Sequence, residues 1–168
     1  MRAEETLRPM PSALRSMADF HDALRWSLEY AGANRSRQLT WLDPDFAIWP
    51  LDDGALLQSL ATWLALPKRR LTLVAYGFDE LARRCPRFVR WRRDWTHAIE
   101  AWSPSEGVEL RLPTLAVDEG RLCLQLFDRL QWRGRLALDE VAVQPWKGEC
   151  DALLQRCEAT FAARPLGL

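Results

Sequence analysis

Arg70-Leu71-Thr72-Leu73-Val74-Ala75-Tyr76 (RLTLVAY), closed by Gly77, decides the fold class. A nearly continuous apolar run of strand length, ended by a turn residue, suits a strand covered on both faces of a sheet. Before it, Leu56, Leu57, Leu60, Ala61 and Leu64 recur at helical spacing behind the candidate caps Asp52 and Asp53, and Pro67 ends that helix. After it, Phe78–Arg84 and the stretch from Pro86 to about Trp95 read as two helical pieces, with Phe88, Trp91 and Trp95 on one side.

Working outward, Arg37–Leu42 (RQLTWL) is a second short β-favouring run, ended by the turn signal Asp43-Pro44-Asp45. A helix precedes it, with Asp19 as the expected N-cap, apolar positions at Phe20, Ala23, Leu24, Leu28 and Ala31, and Gly32 at its end. Downstream, His97–Trp102, Thr114–Val117, Arg121–Phe127 and Gly134–Leu138 read as strands, with Asp118-Glu119-Gly120 turning between the middle two. A final helix is expected from about Lys147 to Ala163. This order predicts an α/β fold, a mixed β-sheet flanked by helices on both faces. Residues 1–17, with Pro9 and Pro11 and little periodicity, read as a flexible N-terminal arm, and 18–168 as a single α/β domain.

Composition excludes several classes. With 168 residues, 48% hydrophobic and 27% charged, the chain can bury a core, which rules out disordered and fibrous classes. The longest apolar stretch, Ala55–Leu66, is broken by Gln58, Ser59 and Thr62, so no membrane insertion is expected. The start carries no apolar segment of signal-peptide length, and the expected location is the cytoplasm. Cys85, Cys123, Cys150 and Cys157 form no CxxC pair, and His21 and His97 stand far apart; free buried thiols are expected, with no metal and no cofactor. Glycine-rich nucleotide loops, HExxH and GxSxG are all absent, so no catalytic residue is assigned.

Net charge is zero, yet residues 68–93 hold nine basic residues against Asp79 and Glu80, a local excess of seven. Arg83, Arg84, Arg87, Arg90 and Arg93 fall along one flank of the helical pieces, where planar guanidinium forks can take phosphate or carboxylate. Interleaved Phe88, Trp91 and Trp95 can stack on bases, although the same spacing also builds a helix with a buried aromatic side and a solvated basic one. The anionic partner so implied is a nucleic acid or an acidic protein. A second candidate locus is Trp41, Asp43, Asp45 and Trp49 at the carboxyl end of the first strand, with Asp118: two carboxylates there can serve as acid and base or hold a cation, or simply bind their own turn. Trp49, Trp132 and Trp146 fall in expected loops, where an exposed indole would mark a partner surface.

The same element order, with RQLTWLDPDFAIWPL, RLTLVAY, PRFVRWRR, LPTLAVDEGRLCLQLF and RGRLAL between about residues 19 and 163, resembles one half of a phospholipase D-like phosphodiesterase, and most of all small bacterial domains related to that superfamily. In the active family the hairpin carries a His-x-Lys-x4-Asp motif. Anchored on Asp118, the His position here is Arg111 and the Lys position Pro113, and the family's downstream Ser and Asn positions fall in Leu126-Phe127-Asp128. The resemblance therefore implies a phospholipase D-like half scaffold without the nucleophile, a pseudoenzyme whose Arg111 adds to the anion-binding set. Because the enzymes pair two halves across one cleft, it also implies a possible homodimer. The expected function is a non-catalytic binding or interaction domain that contacts an anionic partner. A phosphodiesterase-like or metal-assisted hydrolase centred on Asp43, Asp45 and Asp118 is the alternative.

Overall fold

Alternation of apolar side chains sets which way each strand faces, and two cores result. The computed structural model describes residues 12–162. In order these form β1 (Ala13–Leu14), α1 (Met17–Ala33), β2 (Gln38–Leu42), α2 (Gly54–Leu64), β3 (Arg70–Val74), α3 (Asp79–Arg84), α4 (Pro86–Arg92), a 3-10 turn (Arg93–Trp95), β4 (Ile99–Pro104), β5 (Thr114–Asp118), β6 (Leu122–Asp128), β7 (Arg133–Leu138), α5 (Glu140–Leu154) and β8 (Cys157–Ala159). The strands make one sheet in the order β1-β7-β6-β5-β2-β3-β4-β8, with β2, β3 and β4 parallel and the remaining pairs antiparallel. The chain is thus α/β with a mixed sheet.

Two successive crossovers, β2-α2-β3 and β3-α3-α4-β4, step across the sheet in the same direction. Right-handed connection therefore lays α2 and α3–α4 on the same face. That face holds Leu39, Trp41, Leu71, Leu73, Ile99 and Ala101, covered by α1, α2 and α3–α4. Leu42, Val74, Leu115, Val117 and Cys123 point the other way, under Val143 and Cys150 of α5. The four cysteines are free; Cys85, Cys123 and Cys150 are buried and Cys157 half-buried. Burial pushes the thiols of Cys123 and Cys150 up to about 11. Among the described residues no helix is long and apolar enough to cross a membrane.

Several boundaries differ from expectation. The cap of α1 is Ser16, whose Oγ accepts from Asp19 N at 3.1 Å, while the Asp19 carboxylate accepts from Arg15 N at 2.9 Å. Asp19 lies three residues inside the helix, and its carboxylate reaches back past the cap to the residue before it, a variant of the capping box. Within the stretch read as an arm, Ala13 and Leu14 join the sheet edge against β7, and Leu14 is buried; residues 1–11 lie outside the described residues. The last helix begins seven residues earlier than the pattern suggests, because Asp139 caps it by accepting from Val141 N at 2.9 Å and Pro145 is tolerated inside it. It also ends sooner: Cys157–Ala159 leave the helix to pair with β4, and Phe161 stacks on Phe78 at 4.9 Å.

Candidate anion-binding surface

The arginine segment is built around a carboxylate borrowed from another element. Asp53 caps α2, and its neighbour Asp52 accepts from Arg87 N at 2.7 Å, satisfying an orphan donor at the start of α4. Leu81, Cys85 and Phe88 are buried in the larger core, which turns Arg83, Arg84, Arg87 and Arg90 outward; Arg93 is partly exposed. Arg83 and Arg84 both pair with Glu80, at 2.7 and 3.0 Å, and together they hold its carboxyl below the usual carboxylate range. Arg87, Arg90 and Arg93 have no carboxylate partner among the described residues. Arg92 faces inward instead: it lies over the Phe161 ring at 4.2 Å and donates to the Phe161 carbonyl, and burial lowers its pKa to about 10. One sequence stretch therefore yields an outward basic flank and one anchoring arginine.

Arg111 belongs elsewhere. Tyr76 Oη donates to Leu110 O at 2.7 Å and accepts from Leu112 N at 2.8 Å, holding exposed Arg111 between them. Arg111 flanks a shallow cleft of about 460 Å³ beside Thr114, Phe127, Arg129 and Trp146 of α5. This is the face opposite α3–α4. Arg111, grouped with the basic segment as a candidate anion binder, is therefore not brought together with it by the fold.

The acidic locus is a structural turn. Asp43 is fully buried; its Oδ2 accepts from Asp45 N at 3.1 Å and Phe46 N at 2.7 Å, its Oδ1 accepts from Thr114 Oγ1 at 2.6 Å, and Arg129 Nη2 reaches both Asp43 and Asp45 at 3.2 Å. Asp43 would have to give up these bonds before it could act as an acid, a base or a ligand. Asp118 stands apart: it pairs opposite Leu39, four residues up β2 from Asp43, which separates the two by about 13 Å. Its carboxylate accepts from Ser36 Oγ, Gly120 N and Leu122 N and closes the β5–β6 turn. Among the described residues no group of three or more His, Cys, Asp or Glu side chains is placed to hold a metal ion. Trp41 and Trp49 are buried, 5.2 Å apart, as is Asp43. Trp132 packs on Phe20 and His21, whereas Trp146 lines a cleft, and it does so from a helix. Arg129, the partner that organises this turn, lies 86 residues away in a hairpin tip and carries no local sequence signal.

No family model matches the chain, and no curated protein matches it. Among solved structures it is similar to TrmBL2, described as an archaeal chromatin protein with a novel mode of DNA binding. They share a fold. The TM-score is 0.55 at 9% identity, and the superposition covers 88% of this chain and 52% of TrmBL2, so the chain spans about half the length of that protein.

Proposed function

We propose that this chain is a non-catalytic binding domain that engages an anionic partner through the outer flank of α3–α4. One observation carries the reading: Arg87 and Arg90 on that flank and Arg93 in the turn after it have no carboxylate partners among the described residues, inside a segment with a local excess of seven positive charges. Arginines left without a carboxylate on a neutral protein concentrate field where a polyanion can use it. The likeness to TrmBL2, a DNA-binding chromatin protein, supports an anionic partner. The resemblance to a phospholipase D-like half, with Arg111 and Pro113 at the motif's His and Lys positions, supports binding without hydrolysis. The carboxylates of the hydrolase alternative are bound within their own turns, which also favours a binding role. Retention on a heparin column tests this. The wild type elutes late and earlier as salt rises, and the Arg87→Glu/Arg90→Glu variant elutes early; co-elution of the two contradicts the proposal.

A further inference from the structure

The amino ends of the parallel strands form a groove at the end of the sheet opposite the Asp43 turn. Because Gln38 pairs with Arg70 and Leu71 with Ile99, the residues ahead of β2, β3 and β4 converge there. Arg70 N donates to Arg37 O and Leu71 N to Ala98 O, both at 2.9 Å, which locks the three segments together. The space beside them, about 750 Å³, is lined by Gln38, Lys68, Arg69, Arg70, Trp95 and His97.

Charge and aromatic surface meet in this groove. Arg70 pairs with Glu100, and Arg69 Nη1 donates to Pro67 O at 2.8 Å; neither Lys68 nor Arg69 has a carboxylate partner among the described residues. Lys68 is held at φ 59°, a left-handed conformation that a side-chain-bearing residue adopts at a cost. A ladder of rings leads into the groove: Phe88–Trp91 and Trp91–Trp95 at 5.9 Å, then Trp95–His97 at 6.0 Å. It begins at buried Phe88, passes half-buried Trp91 and Trp95, and ends at exposed His97. Since α4 starts beside Asp52 after β2 and the chain enters β4 at the opposite end, Arg87, Arg90 and Arg93 mark the same path.

We propose that this groove binds single-stranded nucleic acid, with phosphates on Lys68 and Arg69 and a base against the Trp95–His97 pair. A polymer that alternates phosphates with exposed π-faces matches cations beside rings; an acidic peptide supplies the charge without the faces, and a duplex keeps its faces stacked inside. The inference rests on the anion-binding reading of α4 and names its partner.

The test is fluorescence anisotropy of the full chain with a labelled oligothymidylate of about 16 nucleotides, the same length of duplex, and heparin as competitor. The wild type prefers the single strand. Lys68→Glu/Arg69→Glu weakens that binding about tenfold or more and reduces the salt slope by about 1.4, two phosphates' worth. His97→Ala, at an exposed position, weakens the single strand and leaves heparin binding unchanged. Wild-type affinity in both groove variants, or preference for the duplex, overturns the inference. If Arg87→Glu/Arg90→Glu loses heparin while the groove variants keep the single strand, the groove fails and the α4 reading stands; if the wild type binds none of the three, both fail.

Discussion

Arg129, at the tip of the β6–β7 hairpin, donates to the fully buried carboxylate of Asp43 at 3.2 Å, across 86 residues of sequence. The pair ties the loop after β2 to the far side of the sheet, and Thr114 completes it at 2.6 Å. Its two ends are not equivalent. Asp43→Ala strands Phe46 N, Asp45 N and the Thr114 hydroxyl together and lowers unfolding stability by about 3 kcal/mol. Arg129→Ala leaves Asp43 with three donors and, being one-third exposed, costs about 1 kcal/mol. Urea unfolding of both variants measures the asymmetry; equal losses would contradict it.

Gly134 lies where β7 crosses close to β6: a Cβ built there stands 2.3 Å from Gln125 O and 2.9 Å from Leu126 Cα. Both are backbone atoms, so the strand itself must move. Gly134→Ala is expected to cost about 2 kcal/mol or more by thermal or urea unfolding.

The turn at Lys68 separates stability from binding. Lys68→Gly relieves the left-handed conformation and raises stability by about 1 kcal/mol, while removing a cation from the groove weakens the single strand. A variant that is more stable and binds as the wild type does would argue against the groove.

Buried thiols give a pH signature. The thiols of Cys123 and Cys150 sit at about 11 in the folded state against an ordinary value of 9.0, so their contribution is fully present below about pH 9 and is lost as pH rises through about 11. Between those limits the wild type loses stability relative to Cys123→Ala/Cys150→Ala, by up to about 3 kcal/mol per thiol. At neutral pH a thiol reagent labels half-buried Cys157 ahead of the other three.

The parts of the fold that repeat at a regular period are legible in the sequence. RLTLVAY, the Asp53 cap and the hairpin around Asp118-Glu119-Gly120 each declare themselves within ten residues, and they specify a mixed sheet with covered faces. β1 and β8, of two and three residues, have no pattern of their own and exist through the strands they pair with. Trp49 reads as a loop residue and is buried because the loop folds inward onto Phe20, Trp41 and Phe46, a long-range outcome no local signal encodes. The basic segment was visible as composition. Which of its arginines stay unpaired depends on Glu80 and Phe161, and only the folded chain decides that.

The most direct measurement is the salt dependence of polyanion binding by the wild type and by Arg87→Glu/Arg90→Glu/Arg93→Glu, with circular dichroism confirming that both are folded. The account predicts a steep decline of affinity with salt for the wild type, and loss of binding with a flattened slope for the variant. Equal affinity and equal slope would contradict a role for the α3–α4 flank.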